Sequence, residues 1–143
     1  MATRIHKMLV DLIVRKMREK GYTVIAIEGN LLALPESDKV PLPWTIKRHR
    51  PDVIGINTCS KKVCIGEAKT AEDLFTKRTH AQLTDFANII GKSGEKTELI
   101  IGVPMHSRIT LLKLLSSLNI SSKDVSIIVL PEELAQNATE DKF

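Results

Sequence analysis

Aromatic side chains are scarce: one Trp, one Tyr and three Phe make up 3% of the 143 residues. A single-strand binder built on rows of base-stacking rings is therefore not expected. Two cysteines, Cys59 and Cys64, are too few for a disulfide framework, and the histidines at 6, 49, 80 and 106 are too scattered for zinc spacing. No apolar run approaches the ~18 residues of a membrane span. Asp11 interrupts the N-terminal apolar stretch, which makes it a poor signal peptide. These absences predict a cytoplasmic protein with reduced thiols and no membrane contact. There is no Gly-rich dinucleotide fingerprint and no serine elbow. Gly91-Lys92-Ser93 imitates the end of a phosphate-binding loop, but Phe86 stands where that loop needs glycine. No small-molecule organic cofactor is expected.

What is present is positive charge, unevenly placed. The net charge is +4, and residues 1–50 carry ten Lys/Arg against five Asp/Glu while the remainder carries eleven against twelve. The basic excess belongs to the first third of the chain and favours a polyanionic partner, although a solvated lysine face has the same composition.

The pattern along the chain predicts one α/β domain over residues 1–131 and a polar tail over 132–143. Residues 3–20 carry a helical stripe of Ile5, Met8, Leu9, Leu12 and Met17, closed by Gly21. Residues 22–27 are β-branched and strand-like. Gly29-Asn30 can turn that strand into a short extended piece over 31–34, and prolines 35, 41 and 43 make 35–45 a loop. Strands are expected at 52–57, 62–69, 99–103 and 125–130. Helices are expected at 77–91, with Leu83, Phe86, Ala87 and Ile90 facing the core, and from a Ser107 cap to Asn119. The result is a mixed central sheet flanked by helices.

The chemistry centres on Arg50-Pro51-Asp52 and Glu67-Ala68-Lys69. A symmetric hairpin around Cys59-Ser60 opposes residues whose numbers sum to 119, so Ile54 faces Ile65 and Asp52 faces Glu67. Opposed residues share a sheet face with Cβ atoms about 4.5–5.5 Å apart, and Lys69, two residues on, points to that face. Two carboxylates about 5 Å apart at an effective dielectric of ~20 repel by about 3 kcal/mol. Lys69 offsets part of this. A divalent cation offsets all of it, and hard Mg²⁺ suits one or two carboxylates, waters and phosphate oxygens. In that arrangement Lys69 steadies a water and the charge of a phosphoryl transition state. Without the geometry, the same residues are an ordinary surface salt bridge. The run Lys47-Arg48-His49-Arg50 precedes Asp52 and offers cations for phosphates. Gln82 shares a helical stripe with Thr79 and Phe86 and leans toward the same face.

The stretch Arg50-Pro-Asp-Val-Ile-Gly55 to Gly66-Glu-Ala-Lys-Thr70, with His80-Ala-Gln-Leu-Thr-Asp-Phe86, resembles the core of PD-(D/E)XK nucleases. Within that superfamily it is most similar to archaeal Holliday-junction resolvases and RecB-type nuclease modules. The resemblance covers roughly residues 3–103. It implies a restriction-endonuclease-like αβββαβ core, here extended by a C-terminal αβ unit. It implies Mg²⁺, or Mn²⁺ as substitute, held by Asp52, Glu67 and the Ala68 carbonyl, with Lys69 at the water. It also implies a further acidic residue, for which Asp11 in the first helix is the best candidate and Glu28 the next. Gln82 matches the glutamine that RecB-type modules carry, while Phe86 stands in place of their tyrosine. The expected function is a metal-dependent DNA endonuclease, acting as a homodimer because one small domain holds one site. The alternative is a non-cleaving nucleic-acid-binding module of the same fold within a larger complex.

Overall fold

Thr3 opens the first helix, its hydroxyl accepting the His6 N–H, and Arg4–Glu19 follow as α1. A computed structural model of the chain describes residues 3–28, 41–90 and 94–135. The turn at Gly29-Asn30, the extended piece at 31–34, the first part of the proline loop, Gly91-Lys92-Ser93 and the tail after residue 135 lie outside the described residues.

After α1 come β1 (Thr23–Ile27), β2 (Val53–Ile56), β3 (Val63–Ala68), α2 (Lys77–Ala87), β4 (Glu98–Pro104), α3 (Arg108–Ser117) and β5 (Val125–Leu130). Among the described residues the strands form one five-stranded open sheet in the order β1-β2-β3-β4-β5. The first three are antiparallel neighbours, while β4 and β5 add in parallel. The two-residue alternation of strand side chains divides the core. On one face Leu9, Ile13, Val14 and Met17 of α1 cover Val24, Val53, Cys64 and Ile100. On the other, Leu83 and Phe86 of α2 and Leu111 and Leu115 of α3 cover Ile65, Leu99, Ile101 and Val103. No helix among the described residues is long and apolar enough to cross a membrane.

Two glycines set how close α1 lies. A Cβ on Gly66 would stand 2.4 Å from Ile13 Cγ2, and one on Gly55 2.4 Å from Met17 Sδ. The helix therefore rests directly on the β2–β3 hairpin. The last turn is pinned to β4 through Glu98, which accepts from Tyr22 Oη (2.8 Å) and pairs with Lys20 Nζ (2.6 Å).

Two helix boundaries differ from the sequence pattern. α2 stops at Ala87, where the Asn88 side chain turns back to the Thr84 carbonyl (2.7 Å). Ile90 is consequently not a core residue: it is off the helix, bridges to Lys96 and is 62% exposed. Ser107 does not cap α3. It ends a 3₁₀ turn, Met105–Ser107, has helical dihedrals and makes no side-chain cap bond. A preceding turn of 3₁₀ helix already supplies the backbone continuity that a cap would provide.

Candidate active site

The hairpin has the register of numbers summing to 119: Ile54 pairs with Ile65, Gly55 with Cys64 and Ile56 with Val63. Asp52 lies one residue before β2, just past the last ladder pair of Val53 with Gly66, and its N–H donates to the Gly66 carbonyl (3.2 Å). It also donates to Glu67 Oε1 (3.2 Å), and the Ala68 N–H donates to Asp52 Oδ2 (2.8 Å). Each carboxylate is thus held by the backbone of the opposite strand.

Glu67 is 2% exposed and Lys69 8%. Lys69 Nζ stands 3.2 Å from Glu67 Oε2 and donates to Oε1 of the buried Gln82 on α2. Burial pushes the Glu67 carboxyl up to about 8, the Asp52 charge adds to the rise, and Lys69 opposes it. The pair lies at the floor of an open cleft of about 830 Å³ whose walls include His6, Glu28, Arg50, Thr70, Asp73 and Arg78.

His6 was not legible as a site residue. Its Nε2 stands 3.4 Å from Asp52 Oδ2, and the hydrogen bond to Asp52 raises its pKa above the ordinary value despite the opposing effect of burial. Asp11 does not line the cleft. It stands five positions after His6, which turns it by about 140° around the helix and carries it about 7.5 Å along the axis. Of the two candidates for a further acidic residue it is Glu28 that lines the cleft, where Asp73 stands as well. Its backbone N–H donates to the Asp52 carbonyl (2.7 Å), which ties the end of β1 to the hairpin. Its Oε2 is shielded from solvent and makes no hydrogen bond, with Arg50 Nη1 at 3.7 Å.

The basic run divides. Lys47 and Arg48 have positive φ (50° and 76°), in a tight turn that Ile46 and His49 close with reciprocal backbone bonds. His49 faces inward: its ring meets Phe86 edge-on at 5.7 Å and its Nε2 is 2.8 Å from Asp85 Oδ2. Arg48 donates to the same oxygen (2.9 Å), and with His49 holds the Asp85 carboxyl below the usual carboxylate range. Among these four, Arg50 alone lines the cleft. His49 is a partly buried fastener of the turn to α2 and does not line the cleft.

Two helices begin at this cleft. Thr3 and Thr76 cap α1 and α2, both line the cleft, and neither helix has an acidic residue in its first turn. Arg4 and Lys7 stand near one start, Lys77 and Arg78 at the other. Cations at a helix N-terminus oppose the macrodipole, at about 0.3–1 kcal/mol each. Of these four, Arg78 is the one that lines the cleft.

Among the described residues no three His, Cys, Asp or Glu side chains come together closely enough to enclose a metal ion by themselves. The donor set nevertheless fits a hard cation that brings its own waters. Its atoms are oxygens, two carboxyl groups meet across the hairpin, and Glu28 Oε2 makes no hydrogen bond.

Comparison with known proteins finds no matching family, no similar curated protein and no similar solved structure.

Proposed function

We propose that the chain is a metal-dependent DNA endonuclease with a restriction-endonuclease-like fold of the PD-(D/E)XK type. One observation carries the reading: Asp52 and Glu67 oppose each other at the end of a hairpin, with Lys69 buried on the same face and fixed by Gln82. The element order, with an antiparallel β1-β2-β3 half and a parallel β3-β4-β5 half, supports the fold assignment.

Asp52 and Glu67 would hold Mg²⁺ or Mn²⁺ together with the Ala68 carbonyl. The ion, when bound, supplies Lewis-acid polarisation of the scissile phosphate and lowers the pKa of a bound water. The chain's own residues do the rest. Lys69, held between Glu67 and Gln82, presents its ammonium at a fixed point where it orients the attacking water and steadies developing negative charge. Gln82 keeps that ammonium from turning wholly to Glu67. Arg50 and Arg78 on the cleft walls hold flanking phosphates, and the two helix N-termini favour the same anions. A homodimer would place two such sites on two strands.

A thermal-shift titration with Mn²⁺ tests this against a non-cleaving module. A nuclease gains stability as Mn²⁺ rises, because a ligand stabilises the state that binds it, and loses that gain in Glu67→Gln. An Mn²⁺ response equal in both proteins contradicts the assignment.

A further inference from the structure

The 3₁₀ turn Asp73–Phe75 joins β3 to α2 and is tied down at every residue but one. Asp73 Oδ2 accepts from the Thr70 N–H (2.9 Å) and the Thr70 hydroxyl (3.0 Å). Leu74 is buried in the core under α2 and α3, and its carbonyl lies 3.1 Å from His80 Nε2. Thr76 caps α2. Between these anchors the ring of Phe75 is 74% exposed, whereas Phe86, the other described phenylalanine, is fully buried.

Position gives this exposure meaning. Asp73 and Thr76, on either side of Phe75 in the chain, both line the cleft, as do Arg78 and Thr79 in the first turn of α2. An apolar ring on a rigid base therefore projects from a turn whose flanking residues form the cleft wall, two positions before Lys77 and three before Arg78 in the chain. A polyanion drawn to those cations brings its bases to the ring. A planar apolar face beside phosphate-binding cations suits an unstacked nucleobase, since every base has a π-face and stacking needs no particular sequence. A fully paired duplex has no such face to offer along its length.

We infer that Phe75 is a stacking platform that receives one unpaired base of a DNA substrate at the rim of the cleft. This deepens the nuclease reading and rests on it. It makes the preferred substrate a duplex with a single-stranded arm beside the scissile phosphate.

The test compares wild type, Phe75→Ala and Phe75→Trp in binding two DNAs without divalent metal. One is a fully paired duplex. The other has the same duplex with a single-stranded arm carrying 2-aminopurine at the junction. Wild type and Phe75→Trp are expected to bind the armed duplex preferentially and to quench the 2-aminopurine emission. Phe75→Ala is expected to bind the armed duplex about tenfold more weakly, without quenching and with unchanged affinity for the paired duplex. The inference is overturned if Phe75→Ala leaves armed-duplex binding intact, as a ring that contacts a protein partner would, or weakens both DNAs equally. Mg²⁺-dependent cleavage of the same DNAs separates the two claims. Quenching by Phe75 without cleavage contradicts the nuclease reading alone, and cleavage indifferent to Phe75 contradicts the stacking site alone.

Discussion

Asp52 and Glu67 are bound crosswise: the Asp52 N–H donates to the Glu67 carboxylate at 3.2 Å, and the Ala68 N–H, one residue beyond Glu67, donates to the Asp52 carboxylate at 2.8 Å. The hairpin thus fixes two carboxyl groups side by side, and in the folded protein without metal burial, with the Asp52 charge added, favours the protonated form of Glu67.

This buried pair is readable as a pH dependence. Burial lifts Glu67 from 4.5 to about 8, and Asp52 lifts His6 above 6.5. Each raised pKa means the folded state binds a proton more tightly than the unfolded state. The stability this contributes is complete below the unfolded pKa and is lost as pH rises through the folded one. Metal-free protein should therefore lose Tm between about pH 4.5 and 8. Glu67→Gln should flatten that fall, and Mg²⁺ should counter it at the alkaline end. A wild-type profile no steeper than that of Glu67→Gln would refute the buried-pair account. Asp52→Asn is a less clean probe, since Asp52 also pairs with His6 and accepts from Ala68.

Gly66→Ala should lower stability by about 1–3 kcal/mol, the usual result of overpacking a close contact. The new Cβ meets Ile13 Cγ2 at 2.4 Å and Val53 Cβ at 3.2 Å. Shortening the opposing side chain with Ile13→Ala should make the pair of changes less costly than their sum, measured by urea unfolding. Additive losses would mean that α1 does not rest on Gly66.

The basic residues should separate in DNA binding. Arg50→Ala and Arg78→Ala, on the cleft walls, should each flatten the slope of log K against log salt by about 0.9. His49→Ala should leave the slope unchanged and lower Tm, since that ring fastens the turn to Phe86 and Asp85. Equal salt slopes in all three variants would place the phosphate contacts elsewhere.

Gln82→Leu should reduce kcat by roughly 10–100-fold with little change in KM, the scale on which losing a residue that orients a catalytic group is felt. Gln82 accepts from Lys69 on a buried face, and leucine leaves that ammonium with Glu67 alone. A change in KM alone would make Gln82 a substrate contact.

The hairpin was legible because two short apolar, β-branched runs flank a compact polar loop, and a symmetric loop fixes the register. Asp52, Glu67 and Lys69 follow from that register by arithmetic. β5 was legible from its bounded apolar run, Val125–Leu130. His6 and Glu28 were harder. Which residue of α1 reaches the hairpin depends on which end of the helix lies at the cleft, a tertiary fact that the stripe of Leu9, Ile13 and Met17 does not encode. Thr3 lining the cleft shows it to be the N-terminal end, and the bare first turns of α1 and α2, lacking acids, were the available signal. The division of the basic run was not legible, because Asp85, thirty-six residues beyond His49 in sequence, pairs with both Arg48 and His49.

The central claim is tested most directly by Mg²⁺-dependent cleavage of a DNA panel comprising linear duplex, single strand, flap and four-way junction. Wild type is compared with folded Asp52→Ala, Glu67→Ala and Lys69→Ala. The account predicts phosphodiester cleavage by wild type that stops on chelation and is abolished in all three variants. No cleavage of any substrate by wild type, or full activity retained in the three variants, would contradict it.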